Sequence, residues 1–593
     1  MNHPRRLYDC LDQLLQSAPD NPLLAGKEGG SWRTWNVREV ADHVNRLATG
    51  LLALGIGPRD MSIEGRDKIA ILAKNRPEWV LVDLAVQKAG AVLVPVYPTV
   101  HVNDLAFVLN DAQVKIVIVN DADLLQKVES VRGECPSVQA IYSFERIAGL
   151  PHWTELLEGG TQEQQQQLAA IDERINTEDL FTIIYTSGTT GIPKGVMLSH
   201  HNVLSNVLAT QALLPVRRGS KVLSFLPLNH IFERTVTFIY LFAGVTIYYA
   251  ENLDTLGDNL KEVKPEMFTT VPRLLEKVYE KIMAKAGELT GIKKKLFFWA
   301  LRLGERYDVA KPGSLGYRLQ LKLANKLIFS KWREGLGNNI RGIVTGAAAC
   351  PERLIRVFTA GGIPIMEGYG QTESSPVISV NHIEPENRRF GTVGPAIDGV
   401  EVKIAEDGEV LCKGPNVMMG YYKRPDLTEE VVKDGWLYTG DIGTMQEGKF
   451  LKITDRKKEI FKTSGGKFVA PLPIETRMVE SPFIEQIMVV GDGQKFAGAL
   501  VVPNFARLQQ WCGTQGIDIN NREALCKNSR VHEFLQQQVD TYNVYFNKVE
   551  QVKKIALLPK EWSVEGGELT PKLSLKRKAI MEKYKEAVRT IYE

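Results

Sequence analysis

Tyr185-Thr186-Ser187-Gly188-Thr189-Thr190-Gly191-Ile192-Pro193-Lys194-Gly195 follows directly on the apolar run 181–184. A buried strand, then six consecutive Gly, Ser or Thr residues from Thr186 to Gly191, then a single lysine supply what a polyphosphate needs. Backbone N–H groups can approach closely, hydroxyls donate, and a cation stands at the end. Three glycines alone would suit a plain hairpin loop, but the run of hydroxyls ahead of Pro193-Lys194-Gly195 sets this one apart. Lys194 is followed by Gly195, and G-K-[ST] occurs nowhere in the chain, so the chemistry of P-loop ATPases is disfavoured.

Outward from that loop, helical and apolar segments alternate. The amphipathic stretch 37–54 is interleaved with short apolar runs at 68–72, 91–97 and 115–120, and the pattern resumes at 181–185, 222–226, 245–249, 267–271 and 340–345. Uniformly apolar strands between helices are the pattern of sheets covered on both faces. After about residue 390 the texture changes to short strands between glycine turns, at 400–405, 408–412 and 449–453, which predicts a β-rich subdomain. The charged link Asp455-Arg456-Lys457-Lys458-Glu459 then opens a smaller mixed region. The fold class expected is α/β: residues 1–454 as a large lobe of helix-covered sheets plus a β-rich subdomain, and 455–593 as a small mobile α+β C-terminal domain. A length of 593 residues, about two to four domains' worth, agrees.

Composition narrows the class of function. With 44% hydrophobic and 24% charged residues the chain reads as globular, and a net charge of +3 gives no case for nucleic acid as a partner. The six cysteines show no C-x-x-C pair, as expected of reduced thiols in a cytosolic compartment. Residues 1–20 carry Arg5, Arg6, Asp9, Asp12 and Asp20 without an apolar core and do not read as a signal peptide. The most apolar stretch, 235–250, is shorter than the ~20 residues of a membrane span and suits buried helix and strand.

The loop 186–194 resembles the phosphate-binding motif of the AMP-forming acyl-CoA synthetases, the superfamily that includes luciferases and the adenylation domains of peptide synthetases. Further resemblances run along the chain from about Trp32 to Arg577. Glu367-Gly368-Tyr369-Gly370-Gln371-Thr372-Glu373-Ser374 is similar to the second core motif of that superfamily. The resemblance implies that Tyr369 stacks on adenine beside Gly370 and Gln371, that Thr372 donates to the α-phosphate, and that Glu373 holds Mg²⁺ jointly with Thr186. Gly346-Ala347-Ala348-Ala349 matches the segment that lies against adenine. Tyr438-Thr439-Gly440-Asp441 would put Asp441 on the ribose hydroxyls, with Arg456 assisting. Asp455 would be the pivot of the small domain, and Gly465 and Gly466 would meet the pantetheine arm of coenzyme A. In Leu226-Pro227-Leu228-Asn229-His230, His230 would lie beside the acyl carboxylate and the thioester path.

Two positions depart from the family pattern. Arg234 stands where one long-chain branch has a tryptophan that gates the fatty acid tunnel, so that device does not carry over. Ser574, in Leu569-Thr570-Pro571-Lys572-Leu573-Ser574, stands where the family usually has its adenylation lysine. Lys572 would share a face with Ser574 in an extended segment and is a candidate substitute; otherwise Lys194, Thr372 and Mg²⁺ would handle the transition-state charge.

Between residues 276 and 341 there are 15 Lys/Arg against six Asp/Glu, interleaved with Leu, Phe and Trp. Such a stretch can rest on an anionic bilayer or form a solvated helix packed on the lobe, and the sequence leaves both open. An insertion of this kind resembles the long-chain branch. The function implied is ATP- and Mg²⁺-dependent activation of a long-chain fatty acid to acyl-AMP, then transfer to coenzyme A, by a cytoplasmic enzyme with peripheral contact at the inner face of the membrane left open. Two alternatives remain: a fatty acyl-AMP ligase that loads a carrier protein, and a nucleotide- and lipid-binding protein that has lost turnover, as Ser574 suggests. Whether the chain forms homo-oligomers is not legible.

Overall fold

The computed structural model describes residues 4–186, 192–311, 313–517, 521–570 and 574–593. Of the residues singled out above, Ser187, Gly188, Thr189, Thr190, Gly191 and Lys572 therefore lie outside the described residues. Two large sheets build the N-terminal lobe. One has seven strands in the order Gly420–Tyr421, Lys194–Ser199, Leu180–Thr186, Val92–Pro95, Lys68–Leu72, Val114–Val119 and Ala140–Ser143. The other has eight: Val377–Val380, Ile365–Gly370, Gly342–Thr345, Met267–Thr270, Lys221–Ser224, Thr246–Tyr249, Pro22–Glu28 and Ser31–Asn36. Their central strands are parallel, buried on both faces and rich in Val and Ile, as strands sandwiched between helices must be. The helix Val37–Ala53 starts where Asn36 and Glu39 close a capping box, which satisfies backbone donors that the first turn leaves open.

The apolar stretch 235–250 folds as the end of the helix Ile231–Ala243, a left-handed turn at Gly244 (φ +67°) and the strand Thr246–Tyr249. No described helix is long and apolar enough to cross a membrane. The strands expected at 91–97, 222–226 and 340–345 are shorter than their apolar runs, at Val92–Pro95, Lys221–Ser224 and Gly342–Thr345. The alternation of segments did not show that they divide between two sheets, because strand pairing is a long-range property that local periodicity does not encode.

A five-stranded sheet of Glu401–Ile404, Glu409–Lys413, Trp436–Gln446, Val432–Lys433 and Phe450–Arg456 follows, as the glycine-spaced texture predicted. The C-terminal domain has its own core, including Val489, Leu500, Leu508, Leu535 and Ile555, around the three strands Ile484–Val490, Gly498–Pro503 and Lys554–Leu557.

Arg234 is part of the lobe's core. Its guanidinium makes two bonds to Asp83, at 2.8 and 2.5 Å, donates to Thr182 Oγ1 at 2.8 Å and lies 4.1 Å over the Phe181 ring. With both side chains almost fully buried, the pair ties the helices Pro77–Lys88 and Ile231–Ala243 to the strand Leu180–Thr186.

Candidate active site

The two sheets meet at the carboxyl ends of their parallel strands, where α/β folds hold their ligands. Asn75, just after the strand Lys68–Leu72, donates to Leu226 O at 2.6 Å and accepts from Leu228 N at 3.0 Å. Asn229 donates to Val96 O at 2.7 Å. The loop that carries His230 is thus fastened between the sheets. His230 caps the helix Ile231–Ala243, its Nδ1 accepting from Phe232 N at 3.0 Å.

Parallel pairing of Gly342–Thr345 with Ile365–Gly370 ends with Thr345 opposite Glu367, which brings Gly346 alongside Gly368. A Cβ added to Gly346 would sit 3.5 Å from Gly368 O and 3.6 Å from the Phe232 ring, so the backbone there passes close to both neighbours. Ala347 adopts φ +68°, and residues 347–349 are exposed. Glu367 secures this segment: its buried carboxyl accepts from Cys350 N at 2.8 Å, and burial pushes it up to about 8.

Tyr369 donates to Asp441 Oδ2 at 2.7 Å, and Gln371 Nε2 donates to the same oxygen at 2.8 Å and to Thr439 O at 2.7 Å. Asp441 and Arg456 are register partners on adjacent strands, and the guanidinium approaches the carboxylate to 3.6 Å. Burial raises the Asp441 carboxyl above its usual range, against the pull of Arg456, Tyr369 and Gln371. The turn Thr372–Ser374 follows, with Thr372 buried and Glu373 half-buried.

Lys194 opens the strand antiparallel to Leu180–Thr186 and is the register partner of Thr186. The strands on either side of residues 187–191 are thus antiparallel neighbours. Lys194 Nζ lies 5.0 Å over the ring of Tyr421, and the Tyr421 hydroxyl donates to Glu373 Oε1 at 2.9 Å. One tyrosine on the edge strand Gly420–Tyr421 thus joins the lysine of the first motif to the carboxylate of the second. Sequence reading missed Tyr421, since Gly-Tyr-Tyr after a loop carries no chemical signature of its own.

The donor set suits Mg²⁺ and a nucleotide. Magnesium is usually held by one or two carboxylates together with phosphates and water, and the half-buried Glu373 carboxylate is of the type that fits. Among the described residues no cluster of three or more His, Cys, Asp or Glu forms a closed metal cage.

Glu233, three residues after His230, was also missed. Its fully buried carboxyl accepts hydroxyl bonds from Ser224, at 2.6 Å, and Thr269, and burial lifts it to about 7 from an ordinary 4.5. The folded chain holds this proton where the unfolded chain has released it, so stability falls as pH rises from about 4.5 to about 7. Above that window the loss is complete, at roughly 3 kcal/mol. Glu233→Gln should therefore gain thermal stability relative to the parent between about pH 5 and about pH 8. An equal difference at both pH values would contradict the assignment.

Asp455 is buried at the junction with the C-terminal domain, accepting from Arg456 N at 2.6 Å and from Leu472 N at 3.0 Å, and burial raises it to about 6. On one side of it Lys457 pairs with Asp407 and Glu409 of the large lobe; on the other Arg577 holds Glu459 and Glu475. Gly465 and Gly466 sit in the loop between the short strands Phe461–Lys462 and Phe468–Val469, with Gly466 at φ +75° and open space where a Cβ of Gly465 would stand. Near the C-terminus, Thr570 N donates to Ser574 O at 2.8 Å and Ser574 N to Thr570 Oγ1 at 3.1 Å. The expected alignment of Lys572 with Ser574 lies outside the described residues.

Residues 11–422 match the family model described as AMP-binding enzyme, and residues 458–593 match the AMP-binding enzyme C-terminal domain. The long-chain-fatty-acid–CoA ligase FadD15 of Mycobacterium bovis is 32% identical over 97% of this chain and 95% of that protein. Long-chain-fatty-acid–CoA ligase 5 of Rattus norvegicus is 32% identical over 99% of this chain and 89% of that protein. Among solved structures, the o-succinylbenzoate coenzyme A synthetase of Bacillus subtilis in complex with ATP and magnesium has the same fold, with a TM-score of 0.68 at 20% identity over 96% of this chain and 98% of that one. The chain belongs to the AMP-binding enzyme family, the adenylate-forming superfamily, in the branch that holds the long-chain-fatty-acid–CoA ligases.

Proposed function

We propose that this chain joins a long-chain fatty acid to coenzyme A with ATP as the energy source. A carboxylate oxygen attacks the α-phosphorus of ATP, the bond to pyrophosphate breaks, and acyl-AMP forms. The thiolate of coenzyme A then attacks the acyl carbon and AMP leaves. The observation that carries this reading is the Tyr421 link, which brings Lys194 within one side chain of Glu373 although 179 positions separate them in sequence.

In this reading the loop Thr186 to Gly191 and Lys194 cradle the β- and γ-phosphates, and Thr372 donates to the α-phosphate. Tyr369, Gly370, Gln371, Gly346, Ala347 and Ala348 enclose the adenine side, while Asp441 accepts the ribose hydroxyls beside Arg456. Glu373 and Thr186 would hold Mg²⁺, which supplies neutralising charge to the phosphates. His230 lies beside the acyl carboxylate. Residues 455–593 turn about Asp455 between the two half-reactions and bring Gly465 and Gly466 to the pantetheine arm. Contact of the basic 276–341 segment with an anionic membrane belongs to the same reading.

The test is pyrophosphate release with a panel of acids from acetate to arachidate, in the presence of coenzyme A or of a phosphopantetheinylated carrier protein. Palmitate-range acids with coenzyme A as acceptor are the expected best substrates. Preference for acetate or benzoate removes the fatty acid, and preference for the carrier makes the chain an acyl-AMP ligase. One observation favours a second reading, loss of turnover: Ser574 puts no cation where the family usually has its adenylation lysine. ATP binding without any substrate-dependent pyrophosphate release would establish that reading.

A further inference from the structure

Tyr421 stands between two opposite charges, on a segment that backbone bonds already clip to both motifs. Met418 N donates to Glu373 O at 2.9 Å, Met419 N to Met197 O at 3.0 Å and Tyr422 N to Gly195 O at 2.7 Å. Tyr421 N itself donates to Thr428 Oγ1 at 2.9 Å. Asn202 fastens the approach to it, donating to Pro415 O at 2.8 Å and to Val417 O at 2.9 Å. None of these bonds uses the Tyr421 side chain, so its ring and hydroxyl are not what keeps the strand in place.

The side chain is buried, with its hydroxyl on Glu373 Oε1 at 2.9 Å and Lys194 Nζ 5.0 Å from its ring centroid. Among the described residues Tyr421 is the one side chain that either charge meets, and the two make no ion pair with each other. An ammonium and a carboxylate this close to a common ring attract strongly in a water-poor site. Once paired, each would have less to offer a ligand: the carboxylate to a cation, the ammonium to a phosphate. A tyrosine satisfies both without neutralising either, because its hydroxyl donates to the carboxylate while its ring face attracts the ammonium. Phenylalanine could serve only the lysine.

We infer that Tyr421 is a positioning residue that keeps Lys194 and Glu373 from pairing with each other, so that before nucleotide binds the ammonium stays available to phosphate and the carboxylate to Mg²⁺. This role rests on the nucleotide site proposed above and adds to it a residue that acts through its two neighbours.

The experiment is calorimetric binding of the magnesium complex of a non-hydrolysable ATP analogue to the full chain, at low and high salt. The parent is compared with Tyr421→Phe, Lys194→Gln and Lys194→Gln/Tyr421→Phe. Tyr421→Phe removes only the hydroxyl, which frees Glu373 to close on Lys194. Its affinity should fall roughly tenfold at low salt, the range of one hydrogen bond to a charged group. High salt screens the new ion pair, so the deficit relative to the parent should narrow. With Lys194 already replaced no cation is left there to capture Glu373, and adding Tyr421→Phe should cost less than about twofold. A hydroxyl that only props the structure would give the same loss in both backgrounds and at both salt concentrations, and that result would overturn the inference. So would unchanged affinity in Tyr421→Phe, or loss of its thermal melting transition, which would make the hydroxyl a support of the fold. Failure of the parent to bind the complex would instead remove the nucleotide site, and the role of Tyr421 with it.

Discussion

Glu373→Gln is expected to abolish acyl-adenylate formation while leaving the fold intact. The amide oxygen of glutamine can still accept the Tyr421 hydroxyl that now bonds Glu373 Oε1 at 2.9 Å, so the turn Thr372–Ser374 keeps its anchor. What the variant loses is the negative charge that would hold Mg²⁺ against the phosphates. Loss of one such electrostatic contact costs on the order of 10³-fold in rate, or about 4 kcal/mol. Substrate-dependent pyrophosphate release measures it, with thermal melting as the control on folding. Near-normal release in the variant would remove Glu373 from the metal's shell.

Arg234→Ala should be the most damaging single change to stability in the lobe. It would leave Asp83 buried without its partner, and a broken buried pair costs about 3–5 kcal/mol because the remaining charge is uncompensated. Thr182 would not add to that loss, since its hydroxyl still donates to Leu93 O at 2.6 Å. Replacing both partners by apolar residues of similar size, as in Asp83→Leu/Arg234→Met, should restore most of the stability. Denaturant unfolding of the single and double variants distinguishes the two cases. If the double variant were no more stable than Arg234→Ala, the cost would come from packing rather than from the stranded carboxylate.

The same residue shows what the sequence could and could not reveal. Arg234 marked itself as a departure from the family pattern, but only the fold shows that it faces Asp83, 151 positions away. Where candidate residues are close in sequence, their grouping was readable directly: Thr186 and Lys194 are register partners on adjacent strands, and Gly370, Gln371, Thr372 and Glu373 are consecutive. Tyr421, Glu233 and Glu367 stayed hidden because each acts through a partner brought by strand pairing or by the crossing of a helix over a sheet. Tyr421 reaches Glu373 because Gly420–Tyr421 adds an edge to the strand Lys194–Ser199.

A structure of the chain with Mg²⁺ and a non-hydrolysable ATP analogue would test most directly whether the two distant motifs share one nucleotide. The expected result is a triphosphate lying between Lys194 and Glu373, the metal on the Glu373 carboxylate, and the ribose against Asp441. A nucleotide bound elsewhere, or Lys194 and Glu373 both left without contact to it, would contradict the assignment.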